Sequence, residues 1–195
     1  MDGANLTIVA PAPRYTRVAA VLHWSMALMI VGNVGLGLLA ESLPDSAIRP
    51  AIDLHKSIGI TVLGLVLLRV LWRWSHRPPA LPPQHPAWQK AASHAAHMVL
   101  YGLMFVLPIS GWLHDSAFKY ADKHPLVLFW TIPWFRIGAV TAMEPGAKEV
   151  LHDQLYAVHA LSAYALYGLL ALHILGALKH EWDGERELRR MRVGA

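Results

Sequence analysis

The chain has 195 residues, of which 55% are hydrophobic and 15% are charged. About a quarter of the residues in soluble domains are charged, so this balance indicates a membrane protein. The chain has no cysteine, which excludes disulfides, thiolate-held iron–sulfur clusters and the covalent attachment of a c-type haem. The net charge of +4 does not indicate nucleic-acid binding, because the charges collect at the ends of apolar segments.

Four apolar segments follow one another along the chain, and each is long enough to cross a bilayer. They cover about 18–40, 53–74, 91–113 and 152–178. Residues 114–149 form the longest connection, and its aromatic stretch is predicted to lie at the membrane interface. The sequence therefore predicts one all-α membrane domain over 1–195, built as a four-helix bundle.

The basic residues predict the orientation of this bundle. Four spans place both termini on one side of the membrane, and the positive-inside rule assigns the more basic side to the cytoplasm. Eleven Lys and Arg residues fall on the side of the termini and six on the other side. We therefore expect a multi-pass protein with both termini in the cytoplasm.

Histidines occupy the spans at matching depths. His159 and His173 stand 14 residues apart in the fourth span, which places them on one stripe of a helix, about 21 Å apart. Because the spans alternate in direction, His23 has the depth of His173, near the inner face. His55 has the depth of His159, near the outer face. Two axial imidazoles suit haem iron, so the sequence predicts two bis-histidine b-type haems, one per pair.

Other histidines remain alternatives for these positions. His97 also lies near the inner face and is the rival of His173 or His23, while His152 is the rival of His159. A histidine-lined metal transporter is a further alternative. Zinc sites require four tetrahedral ligands, whose histidines are supported by acidic neighbours. The spans hold almost no carboxylates, which disfavours this alternative.

Charged residues near the span ends are candidates to pair with haem propionates. Arg69 lies 14 residues after His55 and near the inner surface, and an arginine in lipid is expensive unless it is paired. Arg17 is a second candidate at the inner haem, and Lys56 is the candidate at the outer haem.

Taken in order, these segments resemble the prokaryotic cytochrome b561 family of dihaem b-type membrane cytochromes. The resemblance runs from Arg14 to His180 and rests on RYTRVAAVLHW, LHKSIG, LLRVLWR, HAAHMVLYGLMFVLPISGW, VHALSAY and LHILGALKH. It carries the family's haem ligands onto the same four histidines that the depth argument selects. His180 matches a family histidine near the inner haem and a quinone site.

The resemblance implies electron transfer across the bacterial inner membrane, linked to the quinone pool. Described members that this chain resembles are superoxide oxidases, which pass an electron from periplasmic superoxide to ubiquinone. Superoxide or another one-electron donor outside, and ubiquinone as acceptor, are therefore the implied partners. The alternative is a haem-b anchor subunit that carries electrons between the quinone pool and a partner dehydrogenase, hydrogenase or soluble cytochrome.

Overall fold

The computed structural model describes residues 14–79, 86–184 and 187–193 of the chain. Its elements are α1 (Arg17–Leu39), a 3-10 helix (Ala40–Ser42), α2 (Asp45–Ser75), α3 (Ala87–Ser116), β1 (Val127–Leu128), β2 (Ile132–Pro133), α4 (Gly138–Thr141), α5 (Pro145–Trp182) and α6 (Glu187–Arg190). The helices α1, α2, α3 and α5 are each long and apolar enough to cross a membrane. The predicted all-α membrane bundle is confirmed. Arg186, one of the basic residues used for orientation, lies outside the described residues.

The long helices direct much of their apolar surface outward. Leu28 is 74% exposed, Leu161 70% and Leu172 67%. Surfaces of this kind are stable against lipid chains, whereas water would make them an aggregation liability. Within the bundle, a small apolar core joins α1 to α2 around Met26 and Val66.

Two helices, α2 and α5, begin seven or more residues earlier than the apolar segments predict. α2 begins at Asp45 rather than near 53 and continues through Pro50. α5 begins at Pro145 rather than near 152, with a proline in its first turn, where proline is well tolerated. Hydropathy detects only the apolar part of a helix, and it does not detect polar turns that extend the helix beyond the lipid. The added first turns of α2 are polar, and they carry the Arg49–Asp53 ion pair at 3.1 Å between positions one turn apart.

The order of packing leaves α5 apart from the first two helices. α1 packs on α2, α2 on α3, and α3 on α5. We call the end of the bundle that carries residues 117–144 the loop end, and the opposite end the terminus end. At the terminus end the residues before α1 meet α6, because the Tyr15 amide donates to the Arg190 carbonyl at 3.1 Å. The loop end is the predicted outer side.

Two buried serines attach the loop to the helices below it. Ser57 Oγ donates to the Asp53 carbonyl at 2.7 Å and accepts from the Phe129 amide at 2.9 Å. Ser116 Oγ donates to the Trp112 carbonyl and accepts from the Ile137 amide in the same way. The β1–β2 turn has positive φ at Phe129, where the Ser57 bond holds the backbone. Strained turns of this kind persist only when neighbouring contacts fix them.

A buried carboxylate forms a polar junction at the loop end. Asp115, whose side chain is 6% exposed, accepts from Lys56 Nζ at 2.6 Å and from Arg136 Nε at 2.8 Å. Arg136 also donates to the carbonyls of Ala121 and His124, each at 2.7 Å. One side chain of α3 therefore holds both α2 and the loop.

Replacing this carboxylate tests the junction. Asp115→Asn leaves two partly buried cations facing a neutral amide, and breaking a buried ion pair on one side costs about 3 kcal/mol or more. We expect a lower unfolding temperature in detergent. Asp122→Asn is the matched control, because Asp122 is an exposed loop residue and surface changes usually stay within about 0.5 kcal/mol. Equal unfolding temperatures for the two variants would show that the junction does not stabilise the fold.

Candidate functional site

Three imidazoles meet between α1, α3 and α5 toward the terminus end. The ring centres of His23 and His173 are 6.3 Å apart, with their planes at 78°. The ring of His97 on α3 lies 5.5 Å from that of His173, at 74°. The predicted partners are thus neighbours, and the rival His97 belongs to the same cluster.

A second pair lies toward the loop end. The ring centres of His55 on α2 and His159 on α5 are 6.1 Å apart, with their planes at 73°. The rival His152 is directed elsewhere, because its ring lies 4.0 Å from that of His114. Each of the two pairs predicted by depth therefore joins α5 to α1 or to α2, whereas α5 packs mainly on α3.

The spacing of both pairs fits two imidazoles that share one metal ion. An imidazole nitrogen binds a transition metal at about 2 Å and lies about 1 Å from its ring centre, so two opposed ligands have ring centres about 6 Å apart. The observed distances of 6.3 Å and 6.1 Å agree with this value. The residues present therefore fit axial ligation of a haem.

Hydrogen bonds prepare the loop-end rings for metal binding. His55 Nδ1 donates to the Asn33 carbonyl at 3.2 Å, and His159 Nδ1 donates to the Leu107 carbonyl at 3.0 Å. A carbonyl can only accept, so Nδ1 carries the hydrogen and Nε2 keeps its lone pair. Ser110 Oγ lies 3.1 Å from His159 Nδ1 and further fixes that ring. Such bonds are the usual support of a metal-bound histidine.

Glycines make both carbonyls accessible. Asn33 is followed one turn later by Gly37, and Leu107 by Gly111. A Cβ atom at Gly37 would lie 3.5 Å from His55 Cε1, and one at Gly111 would lie 3.2 Å from His159 Cε1. The imidazoles thus occupy the space that side chains would fill. Gly111 and Ser110 are site residues that the sequence did not indicate. Gly111 lies in the third span at the depth of His159. A glycine in one span at the depth of a histidine in another is the sequence signal that could have indicated it.

Two of the charged residues predicted to pair with haem propionates, Arg69 and Lys56, have partners within the protein. Arg69 donates to the Tyr101 hydroxyl at 2.8 Å and to the Ala19 carbonyl at 3.1 Å, which places it one turn from His23. Lys56 is paired with Asp115. Arg17 is exposed at the first residue of α1, and His180 is half-buried near the end of α5.

Two basic cavities flank the histidine pairs. At the terminus end, a cavity of about 230 Å³ has four arginines in its lining, Arg14, Arg69, Arg73 and Arg77. At the loop end, a cavity of about 490 Å³ is lined in part by Lys119, Arg136, Lys148 and one acid, Asp122. Both cavities thus present positive charge to an anionic group.

The pairing of the histidines distinguishes this site from a zinc site. Across the described ranges 14–79, 86–184 and 187–193, no group of three or more His, Asp or Glu side chains is arranged to hold a metal ion. Tetrahedral zinc needs such a group, whereas a haem iron takes its equatorial ligands from the porphyrin and needs only axial ones. A four-helix membrane bundle with imidazole pairs at two depths has the architecture of a membrane-bound b-type cytochrome.

Comparison with known proteins agrees with this class. The prokaryotic cytochrome b561 family matches residues 14–194, and the chain belongs to that family. The family binds haem b and takes part in membrane electron transfer.

Three relatives illustrate the range of likeness. Cytochrome b561 homolog 2 of Escherichia coli (strain K12) is 35% identical over 181 residues, covering 91% of this chain and 90% of that protein. The probable superoxide oxidase CybB of Yersinia pestis is 27% identical, with 87% and 89% covered. Cytochrome b561 homolog 1 of Escherichia coli (strain K12) is 23% identical, with 87% and 90% covered.

The contact between Gly111 and His159 can be tested directly. Gly111→Ala places a methyl group 3.2 Å from the His159 ring, which has to move away from the Leu107 carbonyl. We expect less haem b per chain, measured from the reduced-minus-oxidised absorption spectrum. Gly102→Ala on the same helix meets nothing within 4 Å, so it reports the effect of helix propensity alone. Equal haem content in the two variants would contradict the expectation.

Proposed function

We propose that the protein carries electrons across the bacterial inner membrane through two b haems, one held by His23 and His173 and the other by His55 and His159. The observation that carries this proposal is the pair of ring separations, 6.3 Å and 6.1 Å, at two depths of one bundle. Haem held by these histidines would supply a one-electron carrier for the transfer.

The remaining residues of the site hold and insulate these ligands. The carbonyls of Asn33 and Leu107 keep the loop-end rings in one tautomer and orientation. Leu166 lies midway between His159 and His173 and is only 6% exposed. Its apolar side chain excludes water between the two pairs, about 21 Å apart along the helix.

Charged residues are proposed to hold the haem propionates. We assign Arg69 and Arg17 to the haem nearer the terminus end, where the arginine-lined cavity supports the assignment. Lys56 is assigned to the haem nearer the loop end. Lys56 and Arg136 share the single carboxylate of Asp115, which leaves one net positive charge beside His55 for a propionate to neutralise.

The proposed orientation is that of the positive-inside rule, with both termini in the cytoplasm and the loop end in the periplasm. The whole chain then forms a single membrane domain. Its periplasmic face carries the cavity lined by Lys119, Arg136 and Lys148, which would attract a small anion.

We propose that the donor is superoxide and the acceptor ubiquinone, so that the protein is an oxidoreductase. Each superoxide gives up one electron and leaves as oxygen, and ubiquinone takes up two electrons and two protons. The relative named as a probable superoxide oxidase supports this assignment. The quinone is assigned to the terminus end near His180, where α5 leaves the apolar region.

Substitution of the histidines tests the haem pairing. We expect His23→Ala and His173→Ala to remove the same haem, and His55→Ala and His159→Ala to remove the other. Each variant should retain half of the haem of the unsubstituted protein, measured as haem absorbance per chain. His97→Ala and His152→Ala are the matched controls and should keep both haems. Loss of the same haem from His23→Ala and His55→Ala would show that the pairing is wrong.

A second experiment tests the substrates. Superoxide generated enzymatically should reduce the haems of the purified protein, because the donor side needs no proton transfer, and a soluble ubiquinone analogue should then reoxidise them. Both steps can be followed in the haem absorption spectrum, and added superoxide dismutase should abolish the first. Haems that stay oxidised until a partner protein is added would instead favour an anchor subunit.

A further inference from the structure

A pair of histidines that the proposed function does not use lies at the loop end. His114 is in the last turn of α3 and His152 is near the start of α5. Their ring centres are 4.0 Å apart and their planes are tilted by only 32°, so the two rings are in stacking contact. His114 is one turn beyond Ser110, whose hydroxyl contacts His159. The stacked pair therefore lies directly on the loop side of the His55–His159 pair.

His114 brings a ring nitrogen into this position without a partner. Among the described residues, its Nε2 atom is buried and makes no hydrogen bond. A buried polar atom left unpaired costs about 1–3 kcal/mol. The stack with His152 restricts the ring, so the nitrogen cannot easily turn toward water. The protein therefore presents an unpaired imidazole nitrogen on the loop side of the His55–His159 pair.

The nearby protein carboxylate is already satisfied. Asp115 accepts from Lys56 Nζ and Arg136 Nε, and the other nitrogens of Arg136 donate to the carbonyls of Ala121 and His124. His114 Nε2 has no hydrogen-bond partner among the described residues, so a group of another molecule can occupy that position. Haem b carries two propionate carboxylates on one edge. Because a charge within lipid is expensive, a haem held by His55 and His159 would direct this edge toward the nearer membrane surface, which is the side where His114 lies.

We propose that His114 Nε2 donates a hydrogen bond to a propionate of the haem held by His55 and His159, and that the stacked ring of His152 keeps it in place. This inference rests on the proposed function, since it needs a haem between those two histidines. The hydrogen bond offsets part of the propionate's negative charge. Without it, that charge stabilises the ferric iron and makes the haem harder to reduce.

Redox titration of the purified protein in detergent tests the assignment. His114→Leu removes the donor, and we expect about a tenfold fall in the reduction equilibrium constant of one haem, which is 59 mV for a one-electron couple. His114→Gln keeps an N–H donor of similar reach and should restore most of the potential. His124→Leu is the matched control, because His124 is an exposed histidine of the same loop end. The affected haem should be the one that His55→Ala removes.

The outcomes separate this inference from the function on which it rests. Fewer than two haems in the unsubstituted protein would overturn the proposed function. Two haems whose potentials are unchanged in His114→Leu would overturn only the contact of His114. Equal shifts in His114→Leu and His114→Gln would also overturn it, because ring packing and not the donor would then set the potential. Loss of one haem in His114→Leu but not in His114→Gln supports the contact.

Discussion

The arrangement of the site depends on one requirement, that both nitrogens of an imidazole need partners where water is excluded. At the loop end, Nδ1 of His55 and Nδ1 of His159 each use a backbone carbonyl of a neighbouring helix. Those carbonyls already accept hydrogen bonds within their own helices, and a glycine one turn later leaves them open to a second donor. With Nδ1 occupied, Nε2 is the nitrogen left for another partner, and the ring centres lie at the spacing that one metal ion would require.

This requirement explains why four helices are needed to present two rings. α1 supplies the carbonyl that holds His55 of α2, and α3 supplies the carbonyl, hydroxyl and glycine that hold His159 of α5. Each ring is therefore held by a helix that does not carry it. Packing of α1 on α2, of α2 on α3 and of α3 on α5 brings these supports together, and it keeps α5 apart from α1 and α2. A shift of either packed pair would change the ring orientation, so the bundle geometry and the ligand geometry are coupled.

The loop end connects this site to the aqueous surface. Asp115 joins Lys56, the residue after His55, to Arg136 of the loop, and Ser57 fixes the strained hairpin turn. These polar groups lie where the apolar part of the bundle ends, so their ion pairs are partly shielded from water and stronger than exposed ones. In the lining of the loop-end cavity three cations face one carboxylate, which gives that cavity a positive charge beside the proposed point of electron entry.

The sequence by itself determined the membrane class, the four spans and the matched depths of the histidines. Hydropathy and a repeat of 14 residues within one helix are properties of consecutive residues, so they can be read without a fold. The family also followed from the order of short segments, and the match over 14–194 confirms it. Helix ends were predicted less well, because polar first turns such as that of α2 at Asp45 extend beyond the apolar length.

Tertiary structure alone decided the contacts between distant residues. Asp115 meets Lys56 across 59 positions and Arg136 across 21, and no local pattern encodes such an encounter. The contact of Gly111 with His159 and the stack of His114 on His152 depend on the rotation of α3 against α5. The helical period shows which face of a helix carries a residue. It does not show which neighbouring helix that face contacts, because side-chain packing between the helices sets their rotation about their axes.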